Sequence, residues 1–390
     1  MQVHPEDAED FVELLMEMGS YTEAVKQYMG ILNNPRFRSR QGKSHFQLWS
    51  EMVDILVTHA RHIETGDDVG VDVERVVRSG IERFADQRGN LWVGLATYWI
   101  NKGNYEKARD VFEEGITTVM TVRDFTVIFD AYVELEESMI GSLMDVAAAR
   151  SDRGVIDEDA DVDLDIRMMR FEQLMDRRPF LVNDVLLRQN PHNVIEWEKR
   201  VALWGDNMRE VVQTYTDAIA AILPKKAVGK FHELWANYAK FYEKGGDLRN
   251  ARVIMEKAVR VPFKSVAELA EMWCEWAEME LRNENFDKAV EIMVKATQAP
   301  KRSTVDYFDD SLNPQQRLHK SWKLWSFYVD LVESVSTLEE TKKVYERIFE
   351  LRIATPQTVV NYANLLEENN YFEESFKVGT VASVLGVWLI

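Results

Sequence analysis

Apolar and polar positions along the chain recur with a helical period and, over longer distances, with a repeat. The segments WANYAKFYEKGGDLRNARVIMEKAV from Trp235, WCEWAEMELRNENFDKAVEIMVKAT from Trp273 and WSFYVDLVESVSTLEETKKVYERIF from Trp325 align with one another. An aromatic stands three residues after each Trp (Tyr238, Trp276, Tyr328) and an apolar residue six after it (Phe241, Met279, Leu331). Those intervals place the groups on one face of a helix. Sixteen residues after each Trp sits a small or short side chain, Ala251, Ala289 or Thr341, and the same interval links Trp92 to Ala108. Four residues before each of these is a helix N-cap type: Asn104, Asp247, Asn285 and Thr337, with Ser20 and Asn207 fitting the same template. Cap side chains accept hydrogen bonds from unpaired first-turn N–H groups, so each marks the start of a second helix. The residue after the cap is apolar or aromatic (Tyr21, Tyr105, Met208, Leu248, Phe286, Leu338) and is expected to pack back on the first helix of its own unit.

The pattern predicts antiparallel helical hairpins, none able to bury its apolar face alone, stacked on their neighbours. About nine are read, at 7–33, 45–86, 90–120, 124–178, 180–223, 230–262, 266–299, 318–354 and from 357 onward. The expected fold is all-α, a right-handed superhelical solenoid running continuously over residues 1–378. Insertions are expected at 64–70, at 150–163, where the array would bend most easily, and at 300–317. Residues 379–390 (GTVASVLGVWLI) carry no charge and depart from the amphipathic second helix expected there.

Composition narrows the class. With 47 basic and 66 acidic residues the net charge is −19, which disfavours sequence-independent grip on phosphate backbones. One cysteine, Cys274, permits no internal disulfide. The N-terminus lacks a signal-peptide pattern and no run is long and apolar enough for a membrane helix. An intracellular, soluble, helical protein is the expectation.

Candidate chemistry is sparse. QGKS at 41–44 resembles the end of a phosphate-binding loop, but Phe37 stands where its first glycine belongs. Asp161, Asp163, Asp165 and Glu172 occupy calcium-loop positions 1, 3, 5 and 12, yet Ile166 replaces the turn glycine and the stretch from it reads as helix. His59 and His62, followed by Glu64, Asp67 and Asp68, lack a further precise zinc ligand. Cys274, between Trp273 and Trp276, reads as a small core side chain. No catalytic, cofactor or metal site is therefore expected. The tryptophans at 49, 92, 197, 235, 273 and 325 are assigned to core packing rather than base stacking. Arg36, Arg38, Arg40 and Lys43 form the clearest basic cluster, a solvated turn or a contact for RNA or an acidic partner.

The Trp-x-x-aromatic helix, followed by a helix bearing Ala108-Arg109 or Ala251-Arg252, resembles the HAT (half-a-TPR) motif of RNA-processing proteins. Longer stretches, including RRPFLVNDVLLRQNPHNVIEWEKRVALW (177–204), APKRSTVDYFD (299–309) and LRIATPQTVVNYANLLEENNYFEESFKV (351–378), resemble the Syf-type, XPA-binding splicing factors of the Prp-nineteen-associated complex. That resemblance implies a nuclear, non-enzymatic scaffold of the spliceosome without cofactors. Its implied partners are a second HAT-repeat protein of the crooked-neck type, small helical splicing factors and an RNA helicase, with a link to transcription-coupled DNA repair. Family members are longer, so the chain would be a central piece or an incomplete gene product. Two alternatives remain: a HAT scaffold of mRNA 3′-end processing, which commonly dimerises, and a helical-hairpin enzyme subunit of the prenyltransferase type.

Overall fold

The computed structural model describes residues 8–34, 37–39, 41–63, 72–151, 158–300, 306–309 and 311–384. Among these residues nineteen α-helices form, and the β-type pairing is confined to an isolated bridge between Asn193 and Val228. The chain divides into two compact units, Met1–Pro191 and His192–Ile390.

The first unit contains α1 (Ala8–Glu17), α2 (Tyr21–Leu32), α3 (His45–Thr58), α4 (Val73–Arg83), α5 (Arg88–Asn101), α6 (Tyr105–Thr118), α7 (Val122–Ser151) and α8 (Glu158–Gln189). The second contains α9 (Val194–Trp204), α10 (Met208–Ala221), α11 (Phe231–Lys244), α12 (Leu248–Ala258), α13 (Val266–Arg282), α14 (Phe286–Ala296), the single turn α15 (Pro314–Arg317), α16 (Trp322–Val335), α17 (Leu338–Glu350), α18 (Pro356–Glu368) and α19 (Phe372–Val384). Omitting α15, sequential pairs give four hairpins in the first unit and five in the second, an all-α helical-repeat solenoid of the kind the periodicity predicts.

One expected boundary moves. The fourth hairpin does not close at 178, because α8 runs through Pro179 to Gln189 and the fifth hairpin starts at Val194. A proline inside a helix forfeits a backbone hydrogen bond. Here Leu174, Leu181 and Val185 flank it and are buried in the first unit's core, so packing holds the helix through the defect. The 150–163 stretch is shorter as an interruption than expected: α7 includes 150–151 and α8 includes 158–163. The remainder of that stretch, the 64–70 insertion and residues 385–390 lie outside the described residues, whereas α19 carries the backbone of 379–384.

Local signals explain the helix starts in part. Asn104, Asp247 and Asn207 accept hydrogen bonds from the N–H groups of Lys107 (3.2 Å), Asn250 (3.1 Å) and Glu210 (3.5 Å). Ser20, Asn285 and Thr337 precede helices without making the cap bond, and the Asn285 amide donates instead to the Asn283 carbonyl at 3.0 Å. Ser44, not singled out by the repeat, forms a reciprocal capping box with Gln47.

Candidate functional site

The repeat positions converge on the hairpin interior and on the junctions between hairpins. Trp49, Trp92, Trp235 and Trp325 are buried, as are Ala24, Ala108, Ala251, Ala289 and Thr341. Small residues on the second helix make room for the indole of the first. A Cβ on Gly80 of α4 would stand 2.9 Å from Trp49 of α3, and one on Gly115 of α6 would stand 3.3 Å from Trp92 of α5. Trp197, Trp273, Trp276 and Tyr238 are half-buried.

The aromatic three residues after the Trp position packs on the preceding hairpin. Phe112 of α6 stacks on Tyr132 of α7 at 5.2 Å between ring centroids, Tyr215 of α10 on Tyr238 of α11 at 4.7 Å, and Tyr345 of α17 on Tyr362 of α18 at 4.5 Å. Each stack joins the second helix of one hairpin to the first helix of the next. Phenols buried there resist ionisation, and burial pushes Tyr215 and Tyr362 up to about 12.

An ion pair recurs at the same junction. Arg252 of α12 makes a two-pronged contact with Glu280 of α13, with both N···O distances 2.6 Å. Arg109 of α6 reaches Glu136 of α7 at 2.8 and 2.9 Å. Both glutamates are buried. Arg252 matches its guanidinium fork to both oxygens of Glu280, the arrangement that best offsets the desolvation of both ions. Both Arg109 contacts instead converge on Glu136 Oε1 and leave the buried Oε2 without a hydrogen-bond partner among the described residues. The arginines were visible in the sequence as part of the HAT motif; their partners were missed. The readable signal was a carboxylate seven residues after the position equivalent to Trp (Phe129 to Glu136, Trp273 to Glu280) on an otherwise apolar face.

Where Val290 of α14 takes the arginine's place, Val332 of α16 takes the glutamate's. Those two valines, with Trp325, Tyr328, Val344 and Arg347, line an open groove of about 770 Å³. A second hollow of about 370 Å³ is polar, lined by first-helix residues His232, Lys240, Glu271, Glu275 and Lys323. Its charges bridge successive hairpins: His232 Nε2 lies 2.5 Å from Glu271, which also pairs with Lys323, and Lys240 lies 3.0 Å from Glu275. Burial works to raise the Glu271 carboxyl, but Lys323 and His232 outweigh it and hold the group below its ordinary range.

The remaining candidates resolve locally. Residues after the caps do not generally pack on their own first helix. Tyr105, Met208 and Phe286 are exposed, and Tyr21 stacks at 3.7 Å on His59 of the following hairpin. Leu248 and Leu338 are half-buried. His62 lies beside the same tyrosine, and no group of three metal-ligating side chains assembles among the described residues. Glu64, Asp67 and Asp68 lie outside them. Asp161, Asp163, Asp165 and Glu172 all sit on α8, a helical rather than a calcium-loop backbone. Cys274 is buried, and burial pushes its thiol up to about 12, far from a reactive thiolate. Lys43 is paired with Glu51 at 2.6 Å and Arg38 is exposed, while Arg36 and Arg40 lie outside the described residues.

Stacked hairpins joined by these aromatic and Arg–Glu junctions define a helical-repeat protein of the HAT class. A family model described as "Pre-mRNA-splicing factor SYF1 middle HAT repeat" matches residues 8–222, and one described as "Pre-mRNA-splicing factor Syf1/CRNKL1 C-terminal HAT repeat" matches 224–382. The chain belongs to the Syf1 family of HAT-repeat proteins. It is 79% identical over 378 residues to pre-mRNA-splicing factor syf1 of Aspergillus fumigatus, covering 97% of this chain and 45% of that protein. It is 50% identical over 377 residues to pre-mRNA-splicing factor SYF1 of Homo sapiens (97% and 43%) and 49% identical over 378 residues to pre-mRNA-splicing factor cwf3 of Schizosaccharomyces pombe (97% and 46%). The chain thus spans somewhat under half the length of these relatives.

Proposed function

We propose that the chain is a non-enzymatic scaffold of the spliceosome, acting in the nucleus, with residues 1–378 working as one array of repeats. The observation that carries this reading is the tiling of 8–222 and 224–382 by two HAT-repeat models that both name pre-mRNA splicing. The architecture supports it: grooves between hairpins accept helices or extended peptides without a reacting group. Its mechanism is positional, with the repeats holding partners in register. Those partners are proposed to be splicing proteins of the Prp-nineteen-associated complex: a crooked-neck-type HAT protein, small helical factors and an RNA helicase. A role in transcription-coupled DNA repair is a secondary part of the same proposal.

Arg36, Arg38, Arg40 and Lys43 are proposed as a contact for RNA or an acidic partner. Charge reversal there should remove at least one partner or RNA crosslink, and retention of all of them would discard that assignment. Affinity capture from nuclear extract, read by mass spectrometry, tests the main proposal. Prp-nineteen-associated proteins are expected; cleavage and polyadenylation factors in their place would overturn it.

A further inference from the structure

The α7–α8 hairpin is longer than the hairpin that precedes it. Its helices have 30 and 32 residues, whereas those of the preceding hairpin, α5 and α6, have 14 each. No side chain from 137 to 150 or from 161 to 173 is buried. The two helices shelter Ile140, Leu143, Leu164 and Phe171 only partly, so the outer half is an arm with little core of its own.

That arm presents an apolar stripe to solvent beside its charged positions. Val162, Ile166 and Met169 of α8 are 55%, 42% and 59% exposed, and their spacing of four and three puts them in one stripe. Arg167 Nη1 lies 3.7 Å from Met139 Sδ. This antiparallel register sets Met144, itself 50% exposed, level with Val162. Methionines adapt their shape to whatever covers them and are favoured on helix-binding surfaces. The helical turn sets Asp161, Asp165, Glu172 and Asp176 along one edge of the stripe. All four are exposed, and none pairs with a cation among the described residues.

An adaptable apolar stripe with an unneutralised acidic edge is complementary to an apolar face flanked by Lys or Arg. We propose that the outer α7–α8 arm is a docking site for a basic amphipathic helix of a partner polypeptide. The assignment rests on the arm's own surface and is independent of the splicing proposal.

The test uses the full chain and three synthetic peptides of about 18 residues, five helical turns. One is a Lys/Leu amphipathic helix, one has the same composition scrambled, and one replaces Lys by Glu; binding is read by fluorescence anisotropy. The amphipathic basic peptide is expected to bind, more weakly as salt rises, and at least about tenfold tighter than either other peptide. Ile166→Glu with Met169→Glu should weaken it at least about tenfold, whereas Val253→Glu, on an exposed α12 position in the second unit, should not. If the paired glutamates unfold the chain by circular dichroism, Asp161→Asn with Asp165→Asn asks the same question, and weaker binding supports the site. Equal binding of the scrambled peptide would overturn the proposal, as would unchanged binding by these variants. Self-association of the chain that Ile166→Glu abolishes would also overturn it, assigning the stripe to a second copy.

Discussion

The α5–α6 hairpin and the outer half of α7–α8 are both antiparallel helical pairs that contain glycine, Gly89, Gly94 and Gly115 in the first and Gly141 in the second. In the first, Trp92, Leu95, Phe112 and Ile116 are buried and Gly115 touches the indole. In the second, nothing lies within 4 Å of where a Cβ on Gly141 would stand, and methionine and valine face solvent. Both regions are helical; the difference is whether packed side chains cover the apolar face. In a repeat array, stability belongs to junctions more than to helices.

Several substitutions can break or sharpen that contrast. Trp92→Ala should cost about 3–5 kcal/mol in chemical denaturation, by lost burial and a residual cavity. Met169→Ala on the arm should change it by less than about 0.5 kcal/mol. Comparable losses would mean that the arm is part of the core. Next comes the junction: Glu136→Ala should cost about 3 kcal/mol by leaving Arg109 largely buried without its main partner. Replacing both, Arg109→Met with Glu136→Leu, should recover most of that loss, and a double variant as unstable as the single would show that the pair is required as ions.

A smaller effect has opposite signs in the two regions. Gly80→Ala should destabilise by about 1 kcal/mol, because the crowding of Trp49 at 2.9 Å outweighs the gain in helix propensity. Gly141→Ala should stabilise by up to about 1 kcal/mol, since the gain is unopposed. Melting temperatures moving in the same direction would contradict the contrast.

The smallest effect is pH-dependent. Glu114 is held below its ordinary range by its hydrogen bond to Arg78, against a burial effect in the other direction. A depressed carboxyl contributes stability above its unfolded pKa of about 4.3, lost as pH falls through the lower folded value. With both side chains more than a third exposed, solvent screening limits this to less than about 1 kcal/mol. Urea midpoints of wild type and Glu114→Gln should differ at pH 7 and converge as pH falls through the folded value; a constant difference would assign the effect to packing.

Much of this was legible beforehand. The Trp, small-residue and cap intervals predict the hairpin architecture and assign Trp49 and Trp92 to core packing, but not the glycines, Gly80 and Gly115, against which their indoles lie. What was not legible required a partner across a junction. The period shows that Tyr132, Tyr238 and Tyr362 lie on an inward face, but not that each stacks on the helix preceding its own hairpin. Glu136 and Glu280 stand out only as carboxylates on an apolar face, because a one-dimensional pattern does not reveal an arginine 27 or 28 residues upstream as the compensating ion. The boundary expected between 178 and 180 falls on Pro179, whose local cost is visible in the sequence, whereas the burial of Leu174, Leu181 and Val185 that overrides it is tertiary. The outer arm falls within the hairpin expected at 124–178 with its insertion at 150–163, but periodicity carries no sign that its helices outrun those of the preceding hairpin.

The stacks and ion pairs that join one hairpin's second helix to the next hairpin's first helix have a consequence for modularity. A graft or deletion cut at the sequence period would sever Phe112 from Tyr132 and Arg109 from Glu136, leaving two mismatched faces. A cut shifted by half a period, through the turn within a hairpin, would carry each contact pair intact. The cassette that can be exchanged between such proteins is therefore out of phase with the repeat by which they are recognised.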